Sequence, residues 1–309
     1  MEYLINWKFK PVMAVIDNIG KLFTKPTLAP AKLDLRKVLF IRLEHLGDMV
    51  MATPAFETFK VNNPHCEVHV LCRSISTPII KNNKFVDKII EYDAPWFSST
   101  YANKTSKKIS EIARELKAEK YDVVFEMHGD PRNLYLANSI NSCTIGYPNR
   151  GFGFFCDVQK EYNHTIKTIQ QNLNLIRDYT SYDCLEPKIF TDSSVKVNVP
   201  KSFVIINPKS TKIEKDLLDD EVDKIIKANS KETVIITGSK QDIGYNLKFD
   251  RFPNVVNLTG KTSILELIEI VNKAKKVYCP DTGIMHIAHA LNIPCDSFFK
   301  STNPKVWGY

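Results

Sequence analysis

No stretch of the sequence approaches the roughly 18 consecutive apolar residues that a membrane-spanning helix requires. The N-terminus also lacks the pattern of a secretory signal peptide, because Lys8 and Lys10 interrupt it and no apolar core with a small-residue cleavage site follows. The seven cysteines are odd in number and include no CxxC pair, which argues against a disulfide framework and a structural zinc site. These absences predict a cytoplasmic protein.

Several common catalytic motifs are missing as well. The sequence contains no GxGxxG, no Walker A motif and no HExxH, so dinucleotide-binding, NTPase and zinc-protease functions lose support. No DxD-type pair of carboxylates follows a strand, and no metal site is expected; the adjacent Asp219 and Asp220 open a helix, where they act as capping charge. The lysines are dispersed without an aromatic–basic motif, so nucleic acid is not an expected partner.

The composition is that of a folded protein. With 309 residues, 43% of them hydrophobic and 25% charged, the chain is long enough for one large domain or two ordinary ones. The formal net charge of +7 suits anionic partners such as nucleotide phosphates or phospholipid, although a lysine-rich composition without functional meaning is the simpler explanation.

Residues 1–36 are predicted to be an amphipathic extension followed by a linker. From Val12 to Phe23 apolar residues recur at i, i+3, i+4 and i+7, which predicts a short amphipathic helix. Two interpretations stay open: the helix lies in a membrane surface, peripherally on the inner face of the cytoplasmic membrane, or it packs on the protein's own body. Residues 25–36 have two prolines and no periodicity, as in a linker.

In the remainder of the chain, strands alternate with helices in two cycles. The first cycle has predicted strands over 37–42, 67–72, 121–126 and an edge element over 143–146, with helices over 49–62, 106–117 and 165–179. The second has strands over 202–207, 232–237, 255–258 and 276–279, with helices over 219–228, 263–273 and 283–291. This alternation predicts an α/β fold of two Rossmann-like, doubly wound domains, over 37–185 and 196–309. Ligands are expected at the carboxyl ends of the strands, in a cleft between the domains.

The loop after the first strand offers a candidate base. Gly47 permits a tight turn, and Asp48 falls at or near a helix N-terminus, where its carboxylate can take a proton from an attacking hydroxyl. From spacing alone, a cap on a helix beginning at Met49 is the simpler explanation.

Three loops of the second cycle suit a nucleotide. Residues 207–215 bring hydroxyls and three lysines, which suit a diphosphate, although a solvated loop is the simpler explanation of that segment alone. Residues 281–286 are predicted to form an anion pocket at a helix N-terminus. The alternative is that they form only a capped turn with a buried histidine. A third loop suits a ribose. The candidate residues are Ser210, Thr211, Lys215, Asp242, Asp281, Thr282, Gly283 and His286.

Five segments together resemble the ADP-heptose:lipopolysaccharide heptosyltransferases, glycosyltransferase family 9. They are KVLFIRLEHLGDMVMATPAFETFKVNNP, YDVVFEMHGDPRNLYLAN with Gly129 and Arg132 at matching positions, CTIGYPNRGFGF, NVVNLTGKTSILELIEIVNKAKKVYCPDTGIMHIAHALNIP and STNPKVWGY. The resemblance covers roughly residues 37–309, with the signatures in order.

The resemblance implies a GT-B fold and an inverting, metal-independent transfer of heptose, or a related sugar, from an ADP-sugar to a lipopolysaccharide core or lipid A-linked acceptor. Asp48 matches the family's proposed catalytic base, and Lys215 matches the lysine that binds the donor diphosphate. Asp281, Thr282 and Gly283 match the donor-phosphate loop, and His286 lies in the same motif. Ser210 and Thr211 occupy the small hydroxyl positions of the second-domain loop over 207–215. The resemblance places Arg42, Gly47 and Arg132 on the acceptor side, and the expected partners are a nucleotide sugar, a lipid-linked saccharide and the inner-membrane surface, with no cofactor besides the donor.

The sequence departs from the family pattern at three places. Glu44 and His45 replace the usual Ser or Thr before Leu-Gly-Asp, the region of Asp242 lacks an acidic cluster, and Tyr309 stands where family members usually continue into a further helical region. Two alternatives therefore stay open: an enzyme of the same family acting on another surface glycan or on protein, and a non-catalytic relative that binds nucleotide sugars.

Overall fold

The computed structural model describes residues 10–22, 35–97 and 107–309. The described residues form two compact units. The first takes in the described parts of Met1–His45 and Ala52–Leu185, and the second takes in Leu46–Met51 and Glu186–Tyr309. Most of the predicted linker over 25–36 lies outside the described residues.

The first unit is built on a six-stranded parallel sheet with the strand order β3-β2-β1-β4-β5-β6. Its strands are β1 (Lys37–Arg42), β2 (Glu67–Cys72), β3 (Lys88–Glu91), β4 (Val123–Glu126), β5 (Cys143–Gly146) and β6 (Val158–Gln159). Its helices are α1 (Lys10–Gly20), α2 (Leu46–Asn62), α3 (Thr77–Ile80), α4 (Ile109–Ala118), α5 (Pro131–Ser139) and α6 (Thr168–Leu175).

Side chains of β1 are buried on both faces of this sheet, as expected of a central parallel strand. Leu39 and Ile41 join a core cluster with residues of α4 and α5. Phe40 points to the other face, where its ring centroid lies 5.2 Å from that of Phe56 and 5.6 Å from that of Phe59, both on α2. Burying one such side chain stabilises the fold by about 1.5–3 kcal/mol. The sheet is therefore covered on both faces.

The second unit has a five-stranded parallel sheet with the order β11-β10-β7-β8-β9. Its strands are β7 (Phe203–Ile206), β8 (Thr233–Ile236), β9 (Val255–Asn257), β10 (Val277–Pro280) and β11 (Cys295–Phe298). Its helices are α7 (Asp219–Ala228), α8 (Ile243–Asn246), α9 (Ile264–Lys273), α10 (Gly283–Ala290) and α11 (Pro304–Trp307).

The predicted fold class is confirmed, because both units have doubly wound parallel sheets. In each sheet the strand order reverses once, between β1 and β4 in the first and between β7 and β10 in the second. Such reversals open a crevice at the carboxyl ends of the two strands, and α/β proteins bind their ligands there.

Several elements differ from the prediction. The edge position of Cys143–Gly146 is wrong, because β6 pairs outside it. The helix expected from Met49 begins at Leu46, and the long helix over 165–179 is divided into α6 and a 3-10 turn over Arg177–Tyr179. The strand β11 and the helix α5 were not predicted. Over the described part of the chain, no helix combines the length and apolar content that crossing a bilayer would require.

Candidate functional site

The loops that follow β7 and β10 meet at the reversal point of the second sheet. Lys215 lies in a 3-10 turn after β7, and Asp281 directly follows β10. The Lys215 Nζ lies 2.7 Å from the Asp281 Oδ2, and Thr302, which comes after β11, donates its hydroxyl to the same oxygen at 2.5 Å. Both members of the ion pair are largely buried. The ammonium group is therefore held in a fixed position at the carboxyl edge of the sheet.

The N-terminus of α10 lies beside this ion pair. Thr282 is its N-cap residue and makes no side-chain cap hydrogen bond. The leading amide groups of an α-helix have no partners within the helix and favour an anion in front of them. Gly283 begins α10 and packs closely on Leu46, since a Cβ at Gly283 would lie 2.9 Å from the Leu46 Cδ2. Backbone amides and a lysine thus converge as they do in phosphate sites.

His286 is buried on α10 and is held by its neighbours. Its Nδ1 lies 2.6 Å from the Tyr309 hydroxyl, and its Nε2 lies 4.0 Å from the Asp281 Oδ1. The Tyr309 ring stacks on that of His289, with centroids 3.5 Å apart. Burial lowers the pKa of His286 to about 4 despite the nearby charge of Asp281. The imidazole is therefore neutral near pH 7 and offers hydrogen bonds rather than positive charge.

Gly47 and Asp48 lie in the first turn of α2, and residues Leu46–Met51 of this helix belong to the second unit. A Cβ at Gly47 would lie 2.5 Å from the His286 Cδ2, so the backbone passes directly over the imidazole edge. The charge of Asp48 acts to raise the pKa of His286, which places the carboxylate in the same surroundings as Lys215 and Asp281. Because α2 begins at Leu46, Asp48 lies inside the helix and is not its N-cap.

Two of the three remaining predicted donor residues, Ser210 and Asp242, take part in local hydrogen bonds. The Ser210 Oγ accepts from the Lys212 backbone N–H at 3.1 Å, and Thr211 is exposed. The Asp242 Oδ2 accepts from the backbone N–H and the hydroxyl of Ser239, both at 2.7 Å, and so caps its own turn after β8. Since β8 neighbours β7, all of the predicted donor loops lie at the carboxyl edge of one sheet.

The two arginines predicted for the acceptor side differ in their surroundings. Arg42 ends β1 and is buried, with Nη1 donating to the Met127 carbonyl at 2.8 Å. Arg132 is half exposed, and its guanidinium donates to both carboxylate oxygens of Asp130 at 2.8 and 2.6 Å. Asp130 also N-caps α5 by accepting from the Arg132 backbone N–H. Only Arg132 is therefore placed to meet a ligand in solution.

A buried network of acidic side chains lies at the reversal point of the first sheet, and it was not predicted from the sequence. The Asn133 Nδ2 donates to the Oε1 atoms of Glu44 and Glu126, at 3.0 and 3.2 Å, and the His128 Nδ1 lies 2.8 Å from the Glu44 Oε1. Burial, reinforced by the charge of Glu44, raises the pKa of Glu126 to about 7. Burial acts to lower the pKa of His128, but its ion pair with Glu44 outweighs this and raises it.

Glu44 departs from the family pattern, and this departure was the only signal in the sequence for the network. Thr302 and Tyr309 belong to the segment STNPKVWGY, in which no single residue could be assigned a role from the sequence. Within residues 10–22, 35–97 and 107–309, no three His, Cys, Asp or Glu side chains are grouped as metal ligands would be.

Comparisons with known proteins agree with this arrangement. Residues 109–309 match the model of glycosyltransferase family 9 (heptosyltransferase). The chain is 24% identical over 289 residues to lipopolysaccharide heptosyltransferase 3 of Escherichia coli, covering 84% of this chain and 82% of that protein.

Two solved structures share the fold. A family 9 glycosyltransferase of Veillonella parvula has a TM-score of 0.76 at 19% identity and covers 91% of this chain and 85% of its own. An E. coli heptosyltransferase solved with ADP-2-deoxy-2-fluoro heptose has a TM-score of 0.71 at 16% identity, covering 87% of this chain and 90% of its own.

Proposed function

The chain belongs to glycosyltransferase family 9, the heptosyltransferase family, and is a glycosyltransferase; we propose that it moves heptose, or a related sugar, from an ADP-sugar to a lipopolysaccharide core or lipid A-linked acceptor. The observation that carries the proposal is the fixed Lys215–Asp281 pair beside the α10 N-terminus, with Asp48 in the same surroundings. A similar protein has been solved with an ADP-heptose analogue, which supports ADP as the nucleotide.

In the proposed reaction, the Asp48 carboxylate accepts the proton of an acceptor hydroxyl while that oxygen forms a bond to the anomeric carbon of the donor sugar. The bond between the anomeric carbon and the diphosphate oxygen breaks, and its electron pair leaves with ADP. In-line attack inverts the anomeric centre. Negative charge grows on the diphosphate, where the Lys215 ammonium and the first amides of α10 stabilise it.

The residues proposed for the donor are Ser210, Thr211, Lys215, Asp242, Asp281, Thr282, Gly283 and His286. On the acceptor side we assign ligand contact to Arg132, whereas Arg42 ends β1 shortly before α2 and Gly47 precedes Asp48 in the first turn of α2. A lipid-linked acceptor lies in a membrane, so we place the enzyme in the cytoplasm, peripherally on the inner membrane face.

Calorimetric titration of the purified protein with ADP tests the donor site. Lys215→Ala is expected to weaken ADP binding about 10- to 100-fold, since a hydrogen bond to a charged group is worth roughly 1.5–3 kcal/mol. Lys212→Ala is the matched control, because Lys212 is an exposed lysine of the same loop, and its ADP affinity should stay within about twofold. Equal affinities for the two variants, or no ADP binding by the folded wild type, would overturn the proposed donor site.

A further inference from the structure

One face of α1 holds this helix on the first unit. The Asp17 Oδ1 accepts from the Gly153 backbone N–H at 2.8 Å, and Asp17 is buried. Met13, one turn earlier, packs against Gly151, and Gly20 packs against the ring of Phe154. Residues 13, 17 and 20 share one side of a helix, so these contacts fix which side of α1 faces the protein.

A different side of α1 presents apolar residues to solvent. Val12, Val15 and Ile19 are 55%, 57% and 52% exposed, and Leu22, in the turn that follows the helix, is 80% exposed. Their spacing of i, i+3, i+7 and i+10 aligns them in one row, which we call the outer stripe. Single exposed apolar residues are ordinary on protein surfaces. An aligned row of four along one short helix and the turn after it is typical of an interaction surface.

Lysines stand at both ends of α1. Lys10 begins α1 and Lys21 follows it, and the sequence has further lysines at positions 8 and 25. Within α1 the one acidic residue is Asp17, which is turned towards the protein. A helix with an apolar face flanked by lysines binds at the surface of anionic membranes, because its apolar side chains enter the headgroup boundary while the ammonium groups meet lipid phosphates.

We propose that the outer stripe of α1 docks the protein on an anionic phospholipid bilayer. This proposal rests on the proposed function, because docking on the bilayer would bring the enzyme to a lipid-linked acceptor. It is separate from the chemistry, because no residue of the donor site or of the acidic network lies on α1.

Co-sedimentation of the full chain with vesicles tests this proposal. Vesicles of phosphatidylglycerol and phosphatidylcholine should bind the wild type, and vesicles of phosphatidylcholine alone should bind it at least fivefold more weakly. The variant Val15→Ser/Ile19→Ser should bind the anionic vesicles roughly tenfold more weakly, because two side chains no longer enter the bilayer. The matched control Val61→Ser/Leu247→Ser changes residues that are 49% and 55% exposed elsewhere, and it should bind like the wild type.

Each outcome decides for or against the outer stripe. Equal vesicle binding by the stripe variant and the control would overturn the proposal, as would failure of the wild type to bind anionic vesicles. If the stripe variant instead changed the sedimentation coefficient of the protein without vesicles, the stripe would be a contact between copies of the chain. ADP titration of the same samples keeps the two proposals apart, since vesicle binding without ADP binding contradicts the proposed function alone.

Discussion

Asp48 owes its proposed role to its position in the first turn of α2, next to Gly47, whose backbone lies against the His286 ring. Asp48→Asn keeps the size and the polarity of the side chain but removes the ability to accept a proton. Turnover is expected to fall about 10²- to 10⁴-fold, the usual contribution of general base catalysis. ADP affinity should not change. Release of ADP from an ADP-sugar in the presence of acceptor measures turnover, and wild-type turnover in the variant would remove Asp48 from the mechanism.

Gly47 is required by the imidazole that lies against it. In Gly47→Ala, the added methyl group would meet the His286 ring at 2.5 Å in a buried place, so we expect a loss of about 1–3 kcal/mol in the free energy of unfolding. Gly244→Ala is the control, because a Cβ at Gly244 meets nothing within 4 Å in the short helix α8. That variant should be neutral or more stable by up to about 1 kcal/mol. Urea denaturation measures both, and equal stabilities would contradict the close contact.

The sequence offered candidate residues where one motif holds them together, as with Asp281, Thr282 and Gly283, and their roles stay predictions. The buried network was not predicted, because Glu44 lies 89 residues from Asn133 in the sequence, far from the segment that holds Glu126 and Asn133. The sequence around Glu126 does not show that the Asn133 amide also donates to a second carboxylate, that of Glu44. Such a pairing exists only once β1 and β4 lie side by side.

At the scale of elements, helix caps explain which boundaries could be predicted. Ser263 and Glu266 form the predicted capping box of α9, with the Ser263 side chain accepting from the Glu266 backbone N–H. By contrast, α5 begins with Asp130 and Pro131 after Gly129, a run that is equally typical of a turn. The apolar runs of β1 and β2 were enough to predict where these strands begin and end. The strand β11 has Asp and Ser among its four residues, so no apolar run indicated it.

The cap of α9 gives a prediction at this scale. Ser263→Ala removes the hydroxyl that accepts from the helix backbone, so the free energy of unfolding should fall by about 1 kcal/mol. Ser230→Ala is a suitable comparison, because Ser230 is exposed and follows the C-terminal end of α7. Its effect should stay within about 0.5 kcal/mol. Thermal unfolding of both variants checks this, and a Ser263→Ala protein as stable as Ser230→Ala would show that the cap is dispensable.

At the scale of the whole molecule, each unit contains one buried group whose contribution to stability depends on pH, and the two contributions have opposite signs. His286 has a pKa lowered to about 4, so its contribution is present above pH 6.5 and is lost as the pH falls towards 4. Glu126 has a pKa raised to about 7, so its contribution is present below pH 4.5 and is lost as the pH rises through 7. The contribution of His286 is therefore lost in acid, and that of Glu126 is lost at neutral pH.

Glu126→Gln isolates the second of these effects, because glutamine imitates the protonated carboxyl group. Relative to the wild type, this variant should gain about 3 kcal/mol in the free energy of unfolding between pH 4.5 and pH 8. Denaturant unfolding at both pH values measures the change. A stability difference that does not vary with pH would show that Glu126 is ionised in the folded protein throughout this range.

Gly129, which precedes α5, should be invariant during the evolution of this protein. Its φ of +81° lies in the left-handed region, and a Cβ there would collide with the Tyr147 carbonyl and the Asn149 side chain. Selection consequently has no second residue to choose at this position while the fold is kept. In an alignment of descendants from one ancestor, the column of Gly129 should therefore be invariant even where Glu44 and the outer stripe have diverged.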